Sequence, residues 1–272
     1  MITNIKFNSL LLLSIPLLLI TGPFLSDLVI VIFFFSATYL YVQNKISIKK
    51  NMKKFIYFFF IFYFIGVLSS VFSFDKYISL KSSVPYVRYL GLVLVGYYLY
   101  NLNKNLIEKL GLVVVFIFII LFIDSVLFFL FGFNISGDQM PGNRFSSFFG
   151  DEKVLGGYVA RLNPLGLIFI SSIKKEKNKK YLFTLYILLV GYLILLSGER
   201  TAFLILITEL LIIILFFPKL RKNLLTIFVI TLISVLSIIY FLPSGKLTKP
   251  FERIVIHSLG QIYFNNQKLV FF

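Results

Sequence analysis

The sequence predicts an all-α fold: a polytopic membrane bundle of about nine transmembrane helices, N-terminus in the cytoplasm and polar loops outside. Three observations predict it. Of 272 residues, 59% are apolar and 14% are charged. A soluble domain would carry nearer half and a quarter. The apolar residues fall in long blocks, and lysines crowd alternate gaps between them. The apolar fraction also excludes a disordered chain. One membrane domain, 1–272, is expected.

The blocks run over 9–21, 24–42, 55–72, 89–100, 110–131, 154–172, 181–197, 202–217 and 224–242. A spanning helix needs about 20 apolar residues. The first block is short, like a signal peptide. It lacks a small-x-small cleavage site, and Gly22-Pro23 leads straight into a second block, so it reads as a membrane helix. The fourth is also short, and its helix is expected to start earlier, near Ser83, on the polar side. The remaining blocks are separated by polar or Gly- and Pro-containing stretches.

Orientation follows from the gaps. The N-terminal tail with 43–54, 101–109, 173–180 and 218–223 holds 16 basic residues and two acids. The rest of the chain holds 11 and nine. Nine spans with the N-terminus inside satisfy the positive-inside rule at every loop. The net charge of +16 is therefore mostly topology, and no nucleic-acid partner is expected. With no Cys and one His, disulfides, thiolate sites and multi-His metal sites are excluded. No metal and no cofactor are expected.

Lysines set the topology, but five of six arginines lie on the other side: Arg88, Arg144, Arg161, Arg200 and Arg253. One reading is snorkelling to the interface. The other is a shared anionic ligand, because guanidinium binds phosphate bidentately and keeps its charge.

The longest polar interruption before the tail is an outer loop at about 133–153. Asp151 is placed to cap the next helix and Glu152 suits its first turn. Gly157 and Arg161 share a helical face, and Gly156 adds a second small residue beside them. Asn163-Pro164 is expected to kink that helix. The stretch LSGERTA (196–202) forms an outer hairpin in which Gly198 ends one helix. Glu199 and Arg200 there read either as an interfacial ion pair or as part of an anion site at a helix N-terminus. Pro85 and Arg88 lie at the outer start of the fourth span.

Two acids fall within spans, Asp124 and Glu209. Such groups are costly in lipid, and mark either function or a buried hydrogen bond. Asp27, near the start of the second span, suits a helix-dipole role. His257 is the lone imidazole, in an outer tail at 243–272.

Two stretches carry a family resemblance. RFSSFFGDEKVLGGYVARLNPL (144–165), then a span, then LSGERTAFL (196–204) resembles the O-antigen ligase and O-antigen polymerase superfamily. The SSVPYVRYL stretch (82–90) and the GPF break are also similar. The resemblance covers most of the chain in order and hydropathy.

It implies a metal-independent glycosyltransferase of lipopolysaccharide and envelope polysaccharide assembly in the bacterial inner membrane. Its donor would be an undecaprenyl-diphosphate-linked glycan, and its acceptor a lipid-linked glycan or lipid A–core. Arg144, Arg161 and Arg200, with Arg88 in addition, would bind the diphosphate. Gly156, Gly157, Gly198 and Pro164 would shape the site. The general base is open: His257, Asp151 and Glu199 are candidates, and the surroundings of His257 do not reproduce the ligase motif. Family members continue past the last loop into further spans, so the resemblance implies a C-terminally truncated, incomplete member. The competing reading is a transporter or flippase for lipid-linked oligosaccharide, with Asp124 and Glu209 coupling protons.

Overall fold

The computed structural model describes residues 5–46, 48–131, 134–135, 145–150 and 152–216. Among these every regular element is helical. Eight of the nine predicted blocks coincide with α-helices; 224–242 and the tail 243–272 lie outside the described residues. The chain divides into two compact units, Met1–Ile107 and Glu108–Phe272.

The first unit begins with α1 (Ile5–Leu18) and α2 (Pro23–Val42). Gly22 joins them at φ 112, a conformation that a side chain would strain, and Pro23 opens α2 where its missing N–H costs nothing. Next come α3 (Lys50–Val71) and α4 (Lys76–Ser83), whose Asp75 cap accepts from the Ile78 N–H at 3.1 Å. The fourth apolar block becomes α5 (Arg88–Leu102). Its helical path does start near Ser83, but as a separate 3-10 turn, Val84–Val87, built around Pro85. Proline lacks the N–H that would join α4 to α5 as one helix.

The core of this unit is the α2–α5 seam. Val29, Phe33 and Ala37, one turn apart on α2, pack with Val95 and Leu99, one turn apart on α5. The helices meet backbone to backbone at Gly91: a Cβ there would fall on the Phe34 Cα and 2.7 Å from its N. Gly91→Ala is therefore expected to force α2 and α5 apart and cost about 1–3 kcal/mol or more. A lower midpoint in a detergent thermal melt checks it.

In contrast, α3 buries almost none of its apolar surface. Phe58, Phe62 and Ile65 are all exposed, Phe62 at 77%. Water does not tolerate such a helix, but acyl chains do. Among the described residues, four helices are long and apolar enough to cross a membrane: Pro23–Val42, Met52–Val71, Leu106–Phe128 and Asn178–Ser197. The protein is membrane-embedded.

The second unit contains most of α6 (Leu106–Phe131), a 3-10 turn at Ser147–Phe149, α7 (Leu155–Ser172), α8 (Glu176–Ser197) and α9 (Arg200–Phe216). Its interior joins Phe118 of α6, Val159 and Ala160 of α7, and Val190 and Leu193 of α8. The Phe118 ring stacks on Tyr186 at 6.1 Å. Gly111 brings α6 against the Leu165 carbonyl of α7, where a Cβ would collide. Helix α7 runs on through Pro164.

Candidate functional site

A helix begins with N–H groups that no earlier turn can satisfy. At α7 the usual remedy is missing, since the capping position is Val154, with no side chain to offer. The partner comes from another part of the chain. Gly156 N–H donates to Glu199 Oε1 at 2.8 Å and Gly157 N–H to Oε2 at 2.9 Å. The carboxylate of the α8–α9 hairpin thus caps α7 with both oxygens, and its negative charge suits the positive end of the helix.

The hairpin is built to deliver it. Gly198 turns the chain at φ 63 after α8, a left-handed conformation natural to glycine. Ser197 Oγ accepts from the Glu199 N–H at 3.2 Å and donates to the Ile194 carbonyl. The Glu199 carbonyl accepts from the Phe203 N–H at 3.1 Å, starting α9.

The glycines make room for this docking. A Cβ at Gly156 would strike Ser197 Oγ and lie 3.0 Å from the Ala202 Cβ. A Cβ at Gly157 would lie 3.2 Å from Glu199 Oε2 and 3.8 Å from Arg161 Nη1. The Glu199 carboxylate and the Arg161 guanidinium therefore border the same glycine. Arg161 is exposed and makes no hydrogen bond or ion pair among the described residues. Arg200 opens α9 next to Glu199 in sequence.

Two expectations change here. Glu199 does not pair with Arg200; its oxygens serve the α7 backbone. Each oxygen of this base candidate accepts one backbone N–H and keeps a further lone pair. Helix α7 starts at Leu155, too late for Glu152 to lie in its first turn; the Glu152 N–H instead closes a turn onto the Phe149 carbonyl.

Arg88 belongs to the first unit. It pairs with Asp27 at 2.8 Å and lies 5.5 Å from the Tyr89 ring centroid. Asp27 thus acts as a side-chain partner rather than by the helix dipole alone. The pair binds the start of α5 to α2, and the Asp27 carboxylate balances the arginine's charge before any ligand arrives.

Both acids within predicted spans are hydrogen-bonded. Asp124 is fully buried and ties down residues beyond the end of α6: Oδ1 accepts from Ile135 N–H at 2.7 Å and Oδ2 from Ser147 Oγ at 2.6 Å. Ser147 sits at φ 53, an unusual angle for a non-glycine residue, and this bond helps hold it there. Glu209 Oε2 accepts from the Asn163 amide Nδ2 at 2.6 Å. Asn163, fully buried and just before Pro164, also accepts at its carbonyl from the Tyr186 hydroxyl at 3.1 Å. Sequence reading missed Asn163 and Ser147, because their partners lie on other elements.

Of the other predicted site residues, Arg144, Asp151 and His257 lie outside the described residues. Groups of three or more acidic, His or Cys side chains that could hold a metal are absent among the described residues. Comparison with protein-family models, with curated proteins and with solved structures finds no match.

Proposed function

We propose that the protein is an inner-membrane glycosyltransferase of bacterial envelope polysaccharide assembly. It passes a glycan from an undecaprenyl-diphosphate carrier to a lipid-linked glycan or lipid A–core acceptor, on the outer face of the membrane. In this reading nine spans cross with the N-terminus inside, α7 and α9 among them, and the α8–α9 hairpin faces outward. The observation that carries it is the docking of the two motif stretches on each other. Glu199 of LSGERTA binds Gly156 and Gly157 of the GGYVAR stretch, with Arg161 against the same glycine and Arg200 next in sequence.

The chemistry needs little else. The acceptor hydroxyl attacks the anomeric carbon as the bond to the lipid diphosphate breaks, and its proton passes to a general base, for which His257, Asp151 and Glu199 are the candidates. Negative charge grows on the departing diphosphate, and fixed guanidinium groups stabilise it more in the transition state than in the ground state. Arg161 and Arg200 take this role, joined by Arg144, and no metal is required. Arg88, committed to Asp27, is left to the architecture of the first unit.

Arg161→Ala and Arg200→Ala, in a strain whose surface polysaccharide depends on this gene, are expected to abolish the polysaccharide ladder or the capped lipopolysaccharide on a gel. Protein level is followed in the same membranes. Lipid-linked units should then build up on the outer leaflet. A normal ladder from stably produced variants removes the diphosphate site; build-up on the inner leaflet points instead to a flippase.

A further inference from the structure

The Glu209–Asn163–Tyr186 cluster has no part in that reaction. Its three residues lie midway along α9, α7 and α8, so three helices each bring a polar group to one level. Three residues after Asn163, Gly166 leaves the space that the Tyr186 hydroxyl occupies; a Cβ there would collide with it. The cluster is thus closely assembled, yet short of a partner in two respects.

The first shortfall is a hydrogen bond. Asn163 is 0% exposed, and its Oδ1 has no partner among the described residues. Rotating the amide does not cure this, since it only exchanges an orphan oxygen for an orphan NH2. Leaving a buried polar atom unpaired is costly. The second shortfall is charge. Glu209 is held by a neutral amide, and no Lys, Arg or His pairs with it among the described residues. Arg161, two residues before Asn163 on α7, points back toward Gly157. A third oxygen is at hand as well. Pro164 has no N–H to give the Ala160 carbonyl one turn earlier, so that carbonyl loses its helical partner.

A water would satisfy Asn163 Oδ1 and leave the charge. A proton on Glu209 would cancel the charge and leave Oδ1. A monovalent cation answers both, and oxygens are the ligands hard cations take. We propose that Glu209 and Asn163, with the freed Ala160 carbonyl and the Tyr186 hydroxyl, bind a monovalent cation of the Na+ class between α7, α8 and α9. A carbonyl freed by a proline, beside a carboxylate midway through a bundle, suits such an ion. The proposal stands apart from the glycosyltransferase reading, and either can fail alone.

Binding of 22Na+ to the full-length protein in detergent tests it, beside thermal melts in NaCl, KCl, LiCl and choline chloride at equal ionic strength. Wild type is expected to show saturable binding displaced by unlabelled NaCl but not by choline chloride, and a melt raised by one small cation over choline. Glu209→Gln and Asn163→Ala are expected to lose both effects, while Asn163→Asp, which keeps an oxygen, retains them. Two results overturn the proposal: wild type without saturable dependence on any of these cations, or undiminished binding in Glu209→Gln. The wild-type measurement decides even if a variant fails to fold.

Discussion

Glu199→Ala is expected to lower stability more than any other single change in the hairpin. It strips the acceptor from two buried backbone N–H groups at the start of α7 and removes a favourable charge from the helix end. Each orphaned donor costs about 1–3 kcal/mol, so a loss of roughly 2–6 kcal/mol follows. Ala at 199 also unfastens α9 from α7, and the turn should become accessible to protease. Glu199→Gln keeps one acceptor but points an NH2 at the second N–H, and is expected to fall between wild type and Ala. Thermal or SDS unfolding of the purified protein reads the order. If Glu199→Gln and Glu199→Ala both melt with the wild type, the cap carries no weight. On the proposed glycosyltransferase reading, the Ala variant is expected to lose surface polysaccharide in cells as well, because Arg161 shares its glycine with this carboxylate.

Asp124→Ala is the second large effect. The carboxylate is fully buried and holds two partners on the loop that follows α6. Its loss leaves the Ile135 N–H and the Ser147 hydroxyl unsatisfied and opens a small void, for roughly 2–5 kcal/mol in all. Asp124→Asn should be far milder, since the amide oxygen still accepts from Ile135 and Ser147 can rotate to accept from the NH2. A Ser147→Ala single variant and the double variant complete a cycle. The expected coupling is clear non-additivity, because the two side chains share one bond. Additive losses would mean that Asp124 acts through something other than Ser147.

These two carboxylates show where sequence reading worked and where it stopped. Asp124 was legible as an acid too costly to be idle within an apolar block, and it is indeed hydrogen-bonded. Its partner, a serine in a loop, carried no periodicity to betray it. Glu199 stood out within its motif, but its neighbour Arg200 suggested an ion pair. The true partners are backbone groups, and every residue has those, so no side-chain pattern marks them. The glycine pair was the one available clue: two consecutive glycines opening a helix, with no capping residue just before it.

The sequence by itself determined the helices and their membrane setting. Apolar blocks, Gly and Pro breaks and lysine-rich gaps are local properties, and local backbone geometry with the cost of bare polar groups in lipid converts them into helices. Only the tertiary structure decided what each polar group does. It assigned Arg88 to Asp27, Glu199 to the start of α7, Asp124 to Ser147 and Glu209 to Asn163. A buried polar group takes whatever partner packing brings within about 3 Å. In this chain those partners lie from 11 to 61 residues away, beyond any spacing that a helix repeat imposes.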